Sequence, residues 1–596
     1  MTGVSREVSR ISANCLGAIA FMIASGASAQ EISGVEDRLQ TPALTQSASD
    51  INEIDYVAHE SGASGLINVS LQPSGSEIDQ RLPPATQPKG DLGQTIVSPP
   101  PPLRDGPASV FILTGVHIRG VTAFPMERFA PLYDDMLARA ISIDDVTRIV
   151  DGVTEIYRAD GYFLSRATAP AQSGEGGVLR IDVSEGYIES VTVKGDTSPS
   201  LKKQIRAVTK ERPLRLSMLE GTLARLSDLK GVSVSSTQIK PDPLDLARHH
   251  LVATFKQDRL VASLYIDNRG TDAAGPVQAY MRAAANSIFR TGDQVSLGLF
   301  TIPDDPSELA LVEAAYHLPL LDAGTYATLT GRYSKFNPGA SLATFDTETQ
   351  TKRLTFGLSH PIIRNRKTAL WANASFEGRN IREEELGLPS FDDKLRVVSV
   401  WANFRKTHWN GYTTGFGKLS QGLNMLGAGS SGTSLSRPDA DGEFTKLTAQ
   451  LSRYQNIGKT FGLYVSVSGQ TANDPLLASE EFSLGGARFG RAYDYGELTG
   501  DDGVAGLVEF RYGRNPDIGL LDFFQLYGFY DYGVVWNDNA APQFNELSLE
   551  SAGAGLRLSF PASLSASMEI AKPLSQTPFT QDDNDWRGFF SVSKSF

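Results

Sequence analysis

The chain has 596 residues, 41% of them hydrophobic and 9% aromatic, with a formal charge of −13 at pH 7. That length is too great for one ordinary core, so several domains are expected, and the acidic balance gives no support to nucleic-acid binding. Cys15 is the only cysteine, which excludes an internal disulfide and a cysteine-based metal site.

Residues 1–29 read as a secretory signal. Arg6 and Arg10 form a basic start, Leu16 to Ala24 an apolar core too short to span a bilayer, and Ala27-Ser28-Ala29 a small-residue cleavage site. Cleavage before Gln30 removes Cys15 and, with Arg6, Glu7 and Arg10, one net positive charge, leaving −14 on the mature chain. From 30 to 106 the sequence is polar and lacks a clear apolar stripe. It ends in Pro99-Pro100-Pro101-Pro102, which predicts a flexible or extended linker with a stiff polyproline stretch. Whether it also holds a plug segment is open from sequence.

Residues 107–186 read as a small α+β module. A strand over 110–119 and a helical region over 126–138 precede a second helix that starts at Ser142, which forms a capping box with Asp145. Val146, Ile149, Val150, Val153, Ile156 and Tyr157 form its apolar stripe, Asp160-Gly161 stops it, and strands are expected over 163–169 and 178–184. Residues 187–257 repeat the order. A strand over 188–194 leads to a helix opened by Pro199 over 201–209. A helix capped by Ser217 with Glu220 follows, then strands over 232–239 and 250–255. Two such units of about 75 residues are an internal repeat of architecture. His249 and His250 are adjacent in a strand, so they face opposite ways and cannot clamp one metal; an exposed pair is expected.

From 258 to 596 helical signals end and alternation takes over. In 551–560, Ala552, Ala554, Leu556, Leu558 and Phe560 share one face, while Ser551, Gly553, Gly555, Arg557 and Ser559 share the other. After Pro561, Leu564, Ala566, Met568 and Ile570 oppose Ser565, Ser567 and Glu569. In the last strand Trp586, Gly588, Phe590 and Val592 oppose Arg587, Phe589, Ser591 and Ser593. Charge falls on the small or polar face almost throughout. A soluble sandwich also alternates, but the repeated greasy-out pattern fits a closed transmembrane barrel better, where a cation on the lipid face costs about 2–4 kcal/mol at the midplane. The segment has room for about sixteen strands at roughly 21 residues per strand and loop, each span needing ~9–11 residues. The absence of a long apolar helix is no objection, because barrel strands hide their hydrophobicity by alternation.

Several motifs make the reading specific. They are Gly161-Tyr-Phe-Leu-Ser-Arg-Ala167, Gly177-Val-Leu-Arg-Ile-Asp-Val-Ser-Glu-Gly186 running into Ile188–Val193, Asp267-Asn-Arg-Gly-Thr271 at the start of the barrel, and Leu484-Gly-Gly-Ala-Arg-Phe-Gly-Arg-Ala-Tyr493 near its end. With the signal, linker, two modules and barrel they resemble the TpsB transporters of two-partner secretion, the ShlB/FhaC/HecB family, over about residues 108–596. The resemblance implies that the modules are POTRA domains (107–186 and 187–257) in the periplasm and that 258–596 is an outer-membrane barrel. The last motif is similar to the family's Val-Arg-Gly-Tyr loop tip. Here Gly490 stands for the Val and Ala492 for the Gly, while Arg491 and Tyr493 are kept.

In the family that loop folds into the lumen and its Arg pairs with an Asp on the inner wall. The matching wall segment is Leu526-Tyr-Gly-Phe-Tyr-Asp-Tyr-Gly533, in which Phe529, Asp531 and Gly533 share a face. The residues themselves agree on direction: Asp531 lies between Tyr530 and Tyr532, which suit lipid, so its carboxylate points inward. On the residues alone Asp531 reads first as an ordinary lumen charge screened by water; the resemblance implies a bidentate bond to Arg491 instead. Glu509 and Arg511 read as generic lumen charges. No Gly-x-Ser-x-Gly elbow, P-loop or HExxH motif is present, so nothing points to an enzyme, a cofactor or a metal.

The resemblance further implies a secreted exoprotein partner with an N-terminal secretion domain, recognised by the POTRA modules and passed to the cell surface. It also implies surroundings of outer-membrane lipid and lipopolysaccharide, and insertion by the barrel-assembly machinery. An assembly factor resembling BamA or TamA shares the plan but carries a longer array of modules, and a passive solute porin lacks the modules.

Overall fold

The computed structural model describes residues 95–97 and 111–596, apart from 173–174, 196–197, 321–323, 430–433, 517–518, 539–544 and 582. The expected signal (1–29) and most of the expected linker (30–106) lie outside the described residues.

The first module is built around the helix Ile143–Ala159. Its N-terminus is closed by the capping box, in which the Ser142 hydroxyl accepts from Asp145 N–H and the Asp145 carboxylate accepts from Ser142 N–H. Two of the orphan donors of the first turn are satisfied in this way. Its buried stripe of Ile149, Val150, Val153 and Tyr157 packs on the sheet of Gly115–Arg119, Val178–Ser184 and Arg166–Thr168. The first pair of that sheet is parallel and the second antiparallel. The region 126–138 is three single 3-10 turns rather than a helix. Pro131, inside the segment, has no backbone N–H to donate and its ring crowds the preceding turn, which interrupts an α-helix there.

The second module has a sheet ordered Tyr187–Gly195, Arg248–Gln257, Val232–Pro241 and Thr95–Val97. The last is a correction to the expected linker: these three residues pair in parallel with Thr237–Ile239 and cover that sheet edge. The helices Pro199–Ile205 and Leu216–Ser227 pack Leu201, Ile205, Leu219, Leu223 and Leu226 onto it. The second helix starts earlier than expected. Arg215 occupies its cap without a side-chain bond, and Ser217 lies inside the helix. The histidine expectation also needs correction, since His249 is buried at 8% exposure while His250 reaches Ser190 and Asp242. Alternation placed the two on opposite faces but could not say which face the helices cover. Burial lowers the His249 pKa, which keeps the ring neutral.

The remainder is a closed barrel of sixteen antiparallel strands. Leu260–Asp267 opens it and pairs with the last strand, Arg587–Ser595, from Ser263 opposite Ser595 to Asp267 opposite Ser591. Closure leaves no sheet edge to the bilayer, where an unsatisfied amide has no water to bond. Phe523–Trp536 shows the alternation most cleanly. Gln525, Tyr527, Phe529 and Asp531 are buried inside, while Leu526, Tyr530 and Tyr532 are exposed outside. Val508, Phe510, Met568, Ile570, Phe590 and Val592 extend the outer apolar surface over neighbouring strands. Two contacts tie the second module to the barrel's near rim. Asp228 receives Arg364 through two bonds of 2.8 Å, and Leu229 packs beside Gly292 in a barrel turn.

Candidate functional site

The segment between the strands Phe461–Ala472 and Asp502–Arg514 does not stay outside the barrel. It descends as a small hairpin, Phe482–Leu484 paired with Leu498–Gly500, and turns back at a buried tip. Apolar side chains hold it there. Phe482, Leu484, Phe489, Ala492 and Tyr493 cluster with Tyr527, Phe529, Val535 and Leu549 of the wall. The turn needs Gly490, whose φ of +77° favours glycine and whose Cβ, if present, would stand 2.5 Å from Leu549 Cδ1. That accounts for a glycine where the resembling motif carries valine.

Arg491 leaves this turn pointing at the wall and is 3% exposed. Its Nε and its backbone N–H both donate to Asp531 Oδ2 at 3.1 Å, and Nη2 donates to Oδ1 at 3.2 Å. The Ser551 hydroxyl supplies a fourth donor to Asp531 at 3.1 Å. Nη1 turns away from Asp531 and donates to Glu509 Oε2 at 2.9 Å and Glu569 Oε2 at 3.2 Å. The guanidinium carbon lies 3.4 Å from the centre of the Phe529 ring, so the ring face supports the cation from below. Each of the Asp531 carboxylate's oxygens is therefore engaged, as a buried charge requires.

The other positions drawn from sequence fall around this centre. The Tyr493 hydroxyl donates to the Gln576 carbonyl oxygen at 3.1 Å and bonds Ser575 Oγ at 3.1 Å, tying the tip to the segment before the last strand. Gly533 leaves a hollow that Leu484 fills. Arg491, Tyr493, Phe529, Asp531 and Gly533 thus meet in one place.

Three residues of the site escape sequence reasoning. Glu509 is not a generic lumen charge. It is 1% exposed and accepts from Arg491, Arg511 and Arg557. Glu569 accepts from Arg491 and from the Tyr527 hydroxyl (2.7 Å), and pairs with Arg269. Arg269, just beyond the first strand, stacks on Phe589 and donates to the Arg491 carbonyl oxygen at 3.2 Å. Arg269 does lie in the Asp267–Thr271 motif, the one signal in the sequence that could have drawn attention to it. The tip is held by charges from strands far apart in sequence, and alternation alone gives only their inward direction.

A second loop segment, 434–444, braces the descending limbs. Arg437 Nη1 donates to Glu481 at 2.7 Å and to Asp501 at 2.6 Å, one residue on each limb of the inserted loop. No group of three or more His, Cys, Asp or Glu arranged to hold a metal occurs among the described residues.

Comparison with known proteins agrees with this architecture. The model of the haemolysin secretion/activation protein family ShlB/FhaC/HecB matches residues 251–558, just over half the chain. That of the ShlB-type POTRA domain matches residues 111–186. The heme/hemopexin transporter protein HuxB of Haemophilus influenzae is 22% identical over 536 residues, covering 87% of this chain and 94% of that protein. The outer membrane transporter CdiB of Dickeya dadantii is 25% identical over 377 residues, covering 62% of this chain and 66% of that protein. Among solved structures, CdiB from Escherichia coli shares the fold with a TM-score of 0.68 at 20% identity, covering 91% of this chain and 99% of that one. On the family match and the shared fold, the chain belongs to the haemolysin secretion/activation family ShlB/FhaC/HecB.

Proposed function

We propose that this chain is the outer-membrane pore of a two-partner secretion system, exporting one exoprotein from the periplasm to the cell surface. The observation that carries the reading is a ShlB-type POTRA module ahead of a closed barrel whose inner wall binds the tip of an arginine-bearing loop. The second module, 187–257, serves as a further POTRA domain. An unfolded segment of the exoprotein is captured by addition to a sheet edge or along a helix–strand groove. The segment then enters the lumen as the Arg491 loop shifts aside. No P-loop is present in the sequence, so capture and folding outside supply the driving force.

In this reading Arg491 and Asp531 form the lock of the loop, with Tyr493, Phe529 and Gly533 setting its geometry. No catalytic centre is assigned, because transport by this route needs none. The apolar outer face meets outer-membrane lipid, the outer rim meets lipopolysaccharide, and the barrel-assembly machinery inserts the chain. The test of the lock is Arg491→Ala. Normal insertion with impaired secretion supports it; normal insertion with secretion equal to wild type removes it.

A further inference from the structure

The Arg491 site uses one arc of the barrel. The stem of the same loop is held on a different arc by a separate buried cluster. Glu480 ends the short turn Ala478–Glu480 at 4% exposure, and its carboxylate accepts from Arg379 Nη1 at 3.0 Å and Lys446 Nζ at 2.6 Å. Lys446, itself 1% exposed, also donates to the Glu480 carbonyl oxygen at 2.7 Å, as does Gln470 Nε2 at 3.0 Å. Arg379 turns its Nε to Glu377 at 3.0 Å, and Arg353 approaches the same carboxylate at 3.2 Å. Lys418 lines the polar recess between these groups with Thr355, Ser375 and Ser399.

The charge balance of this wall depends on the loop. Arg353, Arg379, Lys418 and Lys446 face Glu377 and Glu480, and only Glu480 belongs to the loop. Withdrawal of the loop therefore leaves four cations against one carboxylate on this part of the lumen wall. Such a surface concentrates anions, and its uncovered cations make withdrawal costly unless a new carboxylate arrives.

We infer that Glu480 is a loop-borne stand-in for acidic side chains of the cargo. It covers a cationic track at Arg379, Lys418 and Lys446 that, once vacated, binds the carboxylates of an extended polypeptide in transit. The inference rests on the export reading above. Several weak sites in series suit passage better than one strong site, since the chain has to leave as well as enter.

The test uses the purified full-length protein in planar bilayers. Glu480→Gln is expected to open larger conductances more often than wild type. A peptide of about a dozen residues alternating Asp and Ser, added on the periplasmic side, is expected to block that current. A Lys-Ser peptide of equal length is expected to do so several-fold less. Adding Lys418→Gln and Lys446→Gln should abolish the difference between the two peptides. If Glu480→Gln fails to fold as a heat-modifiable barrel, the same comparison is made on the spontaneous openings of the wild-type channel, with and without Lys418→Gln and Lys446→Gln. Equal block by both peptides, or an acidic block that survives loss of both lysines, overturns the inference. Because no cargo is used, that failure leaves the export reading standing; loss of the export reading appears instead as unchanged secretion in a deletion strain.

Discussion

Leu484 of the inserted loop occupies the space that a side chain on Gly533 of the wall would take: a Cβ there would lie 2.5 Å from Leu484 Cδ2 and 2.8 Å from Cδ1. The fit joins the loop hairpin to the strand that carries Asp531. Gly533→Ala therefore pushes the hairpin off the wall, with an overpacking cost of about 1–3 kcal/mol. We expect larger and more frequent channel openings in bilayers. Leu484→Ala in the same chain should reverse much of that effect, because it removes the clashing methyls. An additive or worsened double variant would show that the contact does not govern closure.

Glu509 holds three cations in a dry setting. Glu509→Ala leaves Arg491, Arg511 and Arg557 with a shared acceptor missing, and breaking a buried pair of this kind costs about 3–5 kcal/mol. The temperature at which the folded barrel loses its fast migration on a gel should fall. Glu509→Gln, which keeps the shape and part of the hydrogen bonding, should fall less. Equal stability of wild type and Glu509→Ala would mean that water replaces the carboxylate at no cost.

The second module is positioned by Asp228 and Arg364, a two-pronged bond between largely buried groups. Asp228→Ala should leave barrel stability nearly unchanged but broaden the distance between spin labels placed on the module and on a barrel turn. A distribution as narrow as that of wild type would assign the positioning to the packing around Leu229 instead.

Glu185 links two parts of the first module. Burial opposes its charge. The Thr122 and Tyr157 hydroxyls and the Thr122 and Ala123 N–H groups outweigh that, so its pKa lies below the ordinary glutamate value. A carboxylate whose pKa is depressed on folding adds stability above its unfolded pKa, and that stability is lost as pH falls through the folded pKa. The melting temperature of the module in the full chain should therefore exceed that of Glu185→Gln at neutral pH. The gap should close only below the normal glutamate range. A gap that is constant with pH would mean that the charge is not what matters.

Much of this architecture was legible from local pattern. Ser142 and Asp145 announce a helix start with their own side chains, and Asp531 between Tyr530 and Tyr532 shows its direction by alternation. What stayed hidden depends on register and on packing at a distance. Glu509 stands opposite Phe529, which brings its carboxylate within reach of the loop tip. Nothing in its own strand reveals that pairing. Likewise the strand Thr95–Val97 is too short to show a period, and exists because an exposed edge at Thr237–Ile239 offers it partners. The burial of His249 is decided by the helices that pack on its face of the sheet, the face it shares with Leu251, Ala253 and Phe255.

A pore dedicated to one exported partner should be indispensable for that partner alone. The most direct measurement is to delete the gene in its host and compare surface and culture-supernatant proteins with the parent by quantitative mass spectrometry. We expect the loss of one large secreted protein, restored by the wild-type gene, with other outer-membrane barrels unchanged. A broad fall in many barrels would contradict it and make the chain an assembly factor. No change in any exported protein would contradict it as well.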